Sequence, residues 1–248
     1  MHGTLCVPVA AEYPAVVLLI GGSGGSEPSY AGQALAGEGI AAMSVAYFAR
    51  PGLPAQLRGI RLEYFFSALE ILQDELSLPA PRIVVLGMSR GSEAAMLTAI
   101  HAPVPVRAVV ATVPGNLVAG SLPPGGPAWL LNGQPLPYVG PGCENDDALI
   151  PVELVPGPVL LIAAGADQVW PSADMARALS RRLHEHGDPH GHTVLEYPKA
   201  SHSLGYLIPH LPAGLLPPEI TDAAADKAAR ADAWPSAVTF IRQLGTPG

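Results

Sequence analysis

The sequence predicts an α/β fold in which a mostly parallel central sheet has helices on both faces. Short apolar segments alternate with longer segments whose apolar residues recur every three or four positions. Strands joined through helices need crossover connections, which make neighbouring strands parallel. The chain is 49% hydrophobic and 14% charged, as expected for a sheet buried on both faces. At 248 residues, a single domain spanning 1–248 is a better fit than two small ones.

The apolar periodicity gives an expected position for each element. Six apolar runs predict strands at 16–20, 41–46, 83–86, 108–113, 159–163 and 193–197. Five amphipathic stretches predict helices at 30–38, 57–76, 92–100, 172–186 and 223–244. Pro235 lies within the last stretch, so we expect one kinked helix or two short ones there.

The sequence Gly87-Met88-Ser89-Arg90-Gly91 lies between a predicted strand and a predicted helix. In that setting the G-x-S-x-G pattern is a nucleophile elbow, a strained turn that exposes its serine above the sheet. Flanking glycines are required because a Cβ there would strike the neighbouring strand or helix. The Arg90 N–H, at the start of the helix, would stabilise an oxyanion. Ser89 is therefore a predicted nucleophile for hydrolysis or acyl transfer, and the alternative is a chance match in a glycine-rich chain.

A serine nucleophile needs a base, and the base needs an acid to orient it. Asp167 and His202 each follow a predicted strand, so both should reach the sheet edge that carries Ser89. The chain order Ser, Asp, His is that of α/β-hydrolases. We therefore predict a Ser89, His202, Asp167 triad. Other candidates for the acid are Asp146, Asp147 and Asp174.

A glycine-rich stretch at 21–25 follows the first predicted core strand, where the second oxyanion donor of this fold is expected. We predict Gly22 and Ser23 as these donors. The alternative, a phosphate-binding loop, lacks both the G-K-[ST] ending and the G-x-G-x-x-G spacing. Glu93, one helical turn beyond Ser89, is interpreted as structural.

The segment 114–158 interrupts the alternation of strands and helices. It is rich in glycine and proline and contains Trp129, Tyr138 and the acidic run 144–147. Long loops in compact domains usually carry function. Because it follows the strand after the elbow helix, we expect a lid or acyl-pocket wall over Ser89. The alternative is a passive surface insertion.

The sequence predicts neither a cofactor nor a metal ion. Gly187 and Pro189 interrupt the segment that carries four clustered histidines, whose spacing is not the one-face H-E-x-x-H arrangement. These histidines are His184, His186, His190 and His192. Two cysteines, Cys6 and Cys143, are too few for a disulfide framework, and both are interpreted as ordinary residues.

The formal net charge of -8 argues against a nucleic-acid partner and disfavours an acidic carrier protein. A small anionic substrate stays possible because a few local arginines could hold its phosphates. No apolar run approaches the roughly 20 residues of a membrane span. The start of the chain, 1–6, lacks the features of a secretory signal, so a cytoplasmic location is expected.

Beyond the triad, an ordered set of segments resembles the C-terminal α/β-hydrolase domain of the acyl-CoA thioesterase and bile-acid-CoA:amino-acid N-acyltransferase family, a dienelactone-hydrolase-like domain. The resemblance runs over nearly the whole chain and implies the same triad. Its segments are 3–5, 13–14, 46–48, 62–65, 87–93, 150–153, 167–172 and the loop from His202 to Pro209.

Two departures from the family pattern bear on the expected activity. Members that act on acyl-CoA usually carry an N-terminal β-sandwich domain, whereas this chain begins where the hydrolase domain should. The amino-acid transferase branch has cysteine at the position of Ser89. A thioester intermediate reacts readily with amines, whereas an oxyester intermediate is more easily lost to hydrolysis, so a serine nucleophile favours hydrolysis over transfer. We expect a small-molecule acyl thioester or ester as substrate, with acyl transfer to an amine or alcohol, or a non-catalytic binding module, as alternatives.

Overall fold

A seven-stranded sheet forms the centre of the computed structural model, which describes residues 1–9, 15–77, 82–141, 145–212 and 223–244. The strands are β1 (His2–Cys6), β2 (Val16–Ile20), β3 (Ala41–Ala46), β4 (Ile60–Arg61), β5 (Ile83–Met88), β6 (Val106–Thr112), β7 (Trp129–Leu131), β8 (Gln134–Pro135), β9 (Val159–Ala164) and β10 (His192–Tyr197). The helices are α1 (Ser29–Gly37), α2 (Glu63–Glu75), α3 (Arg90–His101), α4 (Ser172–Glu185) and α5 (Ala223–Gln243). Short 3-10 helices occupy Asp146–Ala148, Val152–Leu154 and His202–Tyr206.

The strand order in the main sheet is β1-β3-β2-β5-β6-β9-β10. Every neighbouring pair is parallel except β1 with β3, which is antiparallel. The remaining strands, β4, β7 and β8, form a small separate sheet. The predicted α/β class with a mostly parallel sheet is confirmed. Parallel order brings the carboxyl ends of β5, β9 and β10 to one edge, where the predicted site residues follow.

Two apolar cores lie on opposite faces of the sheet. One core contains Leu69 of α2 and Leu179 of α4 together with the buried side of α3. The other contains Leu35 of α1 and Ile241 of α5. Helices therefore cover both faces, as the composition predicts. None of the helices in the described ranges combines the length and apolar character that a membrane crossing requires.

The main differences from the predicted elements concern the segment before α2 and the two chain ends. The helix predicted at 57–76 begins only at Glu63, because Ile60 and Arg61 pair with β7. Helical periodicity at 57–62 reflects burial of Leu57 and Ile60, which strand pairing achieves equally well. The edge strand β1 was not predicted. Pro235 lies inside one continuous α5.

Candidate active site

Ser89 occupies a strained turn between β5 and α3. Its backbone has φ 54 and ψ -122, a left-handed φ that is unfavourable for a residue with a Cβ. The surrounding bonds hold this conformation. The Ser89 N–H donates to Thr112 O at 2.9 Å, and the Ser92 N–H and hydroxyl donate to Ser89 O at 2.8 and 2.6 Å. The predicted elbow therefore has the strained backbone conformation that this motif requires.

The two glycines of the elbow are required by close backbone contacts. A Cβ on Gly87 would lie 2.1 Å from Gly91 O. A Cβ on Gly91 would lie 2.3 Å from both Ile20 O and Gly21 O. Both contacts involve rigid backbone, so any larger residue would push α3 away from β2 and β5.

The structure brings Ser89, His202 and Asp167 into one hydrogen-bonded chain. Ser89 Oγ lies 2.9 Å from His202 Nε2. His202 Nδ1 lies 2.8 Å from Asp167 Oδ2 and 3.0 Å from Oδ1. Donation from Nδ1–H to the carboxylate leaves Nε2 free to accept the serine proton. Of the other acids considered, Asp174 instead pairs with Arg177 on α4 at 2.6 Å.

Asp167 is held as a carboxylate by its surroundings. Its side chain is 1% exposed, and burial by itself would raise its pKa. The hydrogen bond and charge of His202 outweigh burial, with further donors from Ser172 and from Val169 N–H at 2.9 Å. The net effect lowers the pKa of Asp167 below its ordinary value. An ionised Asp167 can orient His202 and stabilise the imidazolium that forms during catalysis.

Trp170 packs against His202 on the same side of the site as Asp167, a contact that the sequence did not reveal. Its indole ring meets the His202 ring edge-on, with centroids 5.9 Å apart. The Trp170 Nε1–H donates to Val113 O at 3.1 Å. Val113 itself has φ 41, which is strained for a β-branched residue. The pairing of Trp170 with the end of β6 therefore holds one side of the histidine.

The predicted oxyanion residues lie beside the nucleophile. A Cβ on Gly22 would be 3.4 Å from Ser89 Cβ, which is an ordinary contact distance and shows that the loop lies directly against the serine. Among the described residues, no group accepts a hydrogen bond from the N–H of Gly22 or Ser23. The Arg90 N–H is the first of α3, where helical N–H groups have no partner within the helix. These three N–H groups are available for an oxyanion.

Tyr47 fixes the carbonyls of the glycine-rich loop, a contact that only the structure shows. Its hydroxyl donates to Gly21 O at 2.9 Å and Gly22 O at 3.0 Å. Burial raises the pKa of Tyr47, with a nearby arginine opposing and a glutamate adding to the effect, so the hydroxyl stays protonated. Holding both carbonyls on the Tyr47 side keeps the loop pressed against Ser89.

A cavity of about 280 Å³ opens at Ser89 and His202. Its walls come from the glycine-rich loop, the start of α1 and the 3-10 helix His202–Tyr206. Apolar side chains such as Met88 face it together with the phenol rings of Tyr30 and Tyr206, which lie 6.2 Å apart. The mixture of apolar walls and a few polar groups is typical of a small-molecule site.

The insertion 114–158 differs from the expected lid. None of its described residues lines the cavity at Ser89. Trp129 is fully buried and packs against Tyr47 and Phe65, with ring centroids 5.7 and 6.3 Å away. The apolar bulk of Trp129 and the pairing of β7 with β4 bind the described part of this segment to the core, where it packs beside α3. Glu144 and Cys143 lie outside the described residues.

A buried polar cluster joins the insertion to the elbow helix. The Arg90 guanidinium donates to Ala119 O at 2.6 Å and Gly120 O at 2.9 Å and pairs with Glu93 at 2.8 Å. Glu93 also accepts from Trp129 Nε1 at 2.9 Å. Burial raises the pKa of Glu93, while Arg90, Trp129 and Ala119 partly oppose the shift. Glu93 thus has the structural position that the sequence indicated.

A second Ser, His, Asp set lies partly buried near the end of α4. Ser180 Oγ is 2.8 Å from His192 Nε2, and His192 Nδ1 is 2.8 Å from Asp188 Oδ2. Ser180 is inside a regular helix and has neither the strained turn nor the neighbouring glycine loop of Ser89. Hydrogen-bond distances alone therefore do not distinguish a nucleophile from a structural contact. Within the described ranges, no group of three or more His, Cys, Asp or Glu side chains is placed to hold a metal ion.

Comparison with solved structures identifies the fold. A Klebsiella pneumoniae protein assigned as a dienelactone hydrolase superposes with a TM-score of 0.64 at 16% identity, covering 97% of this chain and 92% of the other. An α/β-hydrolase enzyme from a Medee basin deep-sea metagenome library gives 0.62 at 17% identity, covering 98% and 93%. At these identities the likeness establishes the α/β-hydrolase fold alone.

Comparison of sequences identifies the family. Acyl-coenzyme A thioesterase 1 of Rattus norvegicus is 31% identical over 96% of this chain and 62% of its own length. The mitochondrial acyl-coenzyme A thioesterase 2 of Homo sapiens is 30% identical over 82% of this chain and 45% of its own length. The chain thus spans less than two thirds of these relatives. The family model for the BAAT / acyl-CoA thioester hydrolase C terminal matches residues 60–122 and 141–245. The chain therefore belongs to this family, as its resemblance predicts.

Proposed function

We propose that this protein is a serine hydrolase that cleaves an acyl thioester or ester through a covalent acyl-enzyme on Ser89. The observation that carries this proposal is the continuous chain from Ser89 Oγ through His202 to Asp167, on a strained elbow at the mouth of a cavity. Family membership supports the thioester as substrate class, because the matched relatives are named as acyl-coenzyme A thioesterases.

In the acylation step, His202 Nε2 takes the hydroxyl proton as Ser89 Oγ attacks the carbonyl carbon of the substrate. The oxygen of the tetrahedral intermediate becomes negative and accepts from the N–H groups of Arg90, Gly22 and Ser23. The intermediate then collapses, and the departing thiolate or alkoxide takes the proton from His202. Ser89 is left as an acyl ester.

In the deacylation step, His202 removes a proton from a water molecule that attacks the acyl ester. Collapse of the second tetrahedral intermediate breaks the bond to Ser89 Oγ, which regains its proton from His202. The product is a free carboxylic acid, and no cofactor takes part. Asp167 stays ionised throughout and stabilises the imidazolium form of His202 in both steps.

Hydrolysis is preferred to acyl transfer because the nucleophile is serine. A thioester acyl-enzyme reacts readily with amines. An oxyester on Ser89 has a smaller preference for amines, so water competes better for its acyl group. The insertion 114–158 was expected to exclude water from an acyl-enzyme, and none of its described residues lines the cavity at Ser89. Product analysis with added amines or alcohols tests this preference, and acyl-acceptor product forming in place of free acid would reverse it.

Intact-protein mass spectrometry after brief incubation with acyl-CoA thioesters and activated esters tests the proposed nucleophile. We expect an acyl adduct on the wild type and none on Ser89→Ala, whose turnover should fall by about 10⁴- to 10⁶-fold, as for other triad deletions. Ser180→Ala is a matched control, because Ser180 makes the same type of contact with His192. An adduct that persists in Ser89→Ala, or one lost in Ser180→Ala, would refute the assignment. No labelling of folded wild type by a fluorophosphonate would favour the binding-module alternative.

A further inference from the structure

Asp226, near the start of α5, is a buried acid outside the triad. Asp226 is 0% exposed to solvent. One carboxylate oxygen accepts from Ser201 N–H at 2.6 Å, and the other accepts from the hydroxyls of Ser201 at 2.6 Å and Ser203 at 2.5 Å. Burying a carboxylate is costly unless it is hydrogen-bonded, so this complete set of donors is energetically necessary.

The three donors belong to the two residues that flank His202. Ser201 is also the N-cap of the 3-10 helix that contains His202, and its side chain accepts from Ser203 N–H at 3.3 Å. Asp226 therefore holds the backbone N–H of Ser201 and the hydroxyls of Ser201 and Ser203, the two residues on either side of the histidine. Arg230, one turn along α5, adds weaker contacts of 3.4 Å to Ser203 O and Oγ.

Apolar contacts also attach α5 to the domain. The helix runs for 21 residues, and its buried face includes Trp234, Val238 and Ile241 in the second apolar core. Asp226 is not among the residues lining the cavity at Ser89. Its contacts thus concern the placement of the His202 loop.

We propose that Asp226 is a positioning residue for His202, holding the 201–203 segment so that the imidazole spans Ser89 and Asp167. This inference rests on the proposed function for its catalytic consequence. A displacement of about 1 Å in a reacting group can cost about 100-fold in rate. Loss of the Asp226 carboxylate should therefore slow both acylation and deacylation, and it should weaken substrate binding less, because only the start of the helix that lines the cavity is released.

The first test compares Asp226→Ala with a matched control on the same helix, Asp232→Ala. Asp232 also accepts a side-chain hydrogen bond, from the Tyr197 hydroxyl at 2.8 Å, but it lies on the exposed side of α5. We expect Asp226→Ala to lower kcat by about 10- to 100-fold with a smaller change in KM, and Asp232→Ala to change kcat less than about twofold. A folded Asp226→Ala protein with wild-type kcat would overturn the proposal.

The second test asks whether Asp226 acts through His202. In a His202→Ala background, Asp226→Ala should cause no further loss of the residual activity, since groups that act as one unit are non-additive. An equal loss in both backgrounds would indicate a general structural effect and refute a positioning role. If Asp226→Ala fails to fold, Ser203→Ala removes one of the three donors and is analysed in the same cycle.

NMR of the His202 ring separates failure of this inference from failure of the proposed function. The proton on His202 Nδ1 is hydrogen-bonded to Asp167 and should give a downfield signal. This signal should shift or broaden in Asp226→Ala and stay unchanged in Asp232→Ala. This readout needs no substrate. If Asp226→Ala perturbs the His202 ring while the wild-type protein turns over no acyl substrate, the positioning role is retained and the proposed hydrolase function is rejected. An unperturbed ring would reject the positioning role.

Discussion

Replacement of Gly91 by alanine tests whether the tight contact beneath the elbow controls reactivity at Ser89. The added Cβ would lie 2.3 Å from Ile20 O and Gly21 O, whereas such atoms stay at least 3.0 Å apart. Helix α3 and strand β2 must therefore separate by about 0.7 Å. Because Ser89 moves with α3 and Gly22 moves with β2, the nucleophile is displaced from its oxyanion donors.

A displacement of this size should lower kcat/KM by about 10- to 100-fold, since about 1 Å of misplacement can cost 100-fold. The assay is the second-order rate of fluorophosphonate labelling at Ser89, together with turnover of an acyl thioester. Gly37→Ala is the control, because nothing lies within 4 Å of a Cβ added at this helical position. It should label at the wild-type rate, with stability unchanged or up to about 1 kcal/mol higher from helix propensity.

Two outcomes would refute the reasoning. One is a Gly91→Ala protein that labels at the wild-type rate with wild-type stability, which would mean that the backbone accommodates the Cβ without moving the site. The other is an equal loss of labelling in Gly37→Ala. Urea unfolding of both variants distinguishes loss of reactivity from loss of the folded state.

Three further predictions concern the supports of the site. Trp129→Ala should destabilise the fold by about 3–5 kcal/mol, measured by urea unfolding, because a fully buried indole is removed; a loss below about 1 kcal/mol would contradict the packed insertion. Tyr47→Phe leaves the carbonyls of Gly21 and Gly22 without the hydroxyl donor. It should lower the free energy of unfolding by about 1–3 kcal/mol and lower kcat. Unchanged stability and kcat would rule out this support. Asp167→Asn should be destabilising at pH 7. Because the folded-state pKa of Asp167 lies below its unfolded value, its contribution is present above the unfolded pKa and is lost as pH falls through the folded one. The difference in unfolding free energy between wild type and Asp167→Asn should therefore shrink as the pH falls through the folded-state pKa of Asp167, and a difference independent of pH would exclude this linkage.

The amino-acid sequence determined the fold class, and it predicted Ser89, Asp167 and His202, which the structure places within hydrogen-bond distance of one another. Apolar runs such as 16–20 and 159–163 are local signals, and each became a strand of the main sheet. Ser89 could be recognised because its turn needs glycines at fixed spacing. Asp167 and His202 followed from their positions after predicted strands, since parallel strands end at a common edge.

The tertiary structure alone decided which distant residues support these groups. Asp226 lies 24 residues beyond His202 in an ordinary helix, and nothing in its local sequence indicates that it contacts the loop. Tyr47 and Gly22 are likewise brought together by packing of β3 against β2. The insertion 114–158 was expected over the cavity, whereas none of its described residues lines that cavity and Trp129 is buried against Tyr47 and Phe65. Periodicity reports which side of an element is buried and not which partner covers it, so only the folded chain determines these contacts.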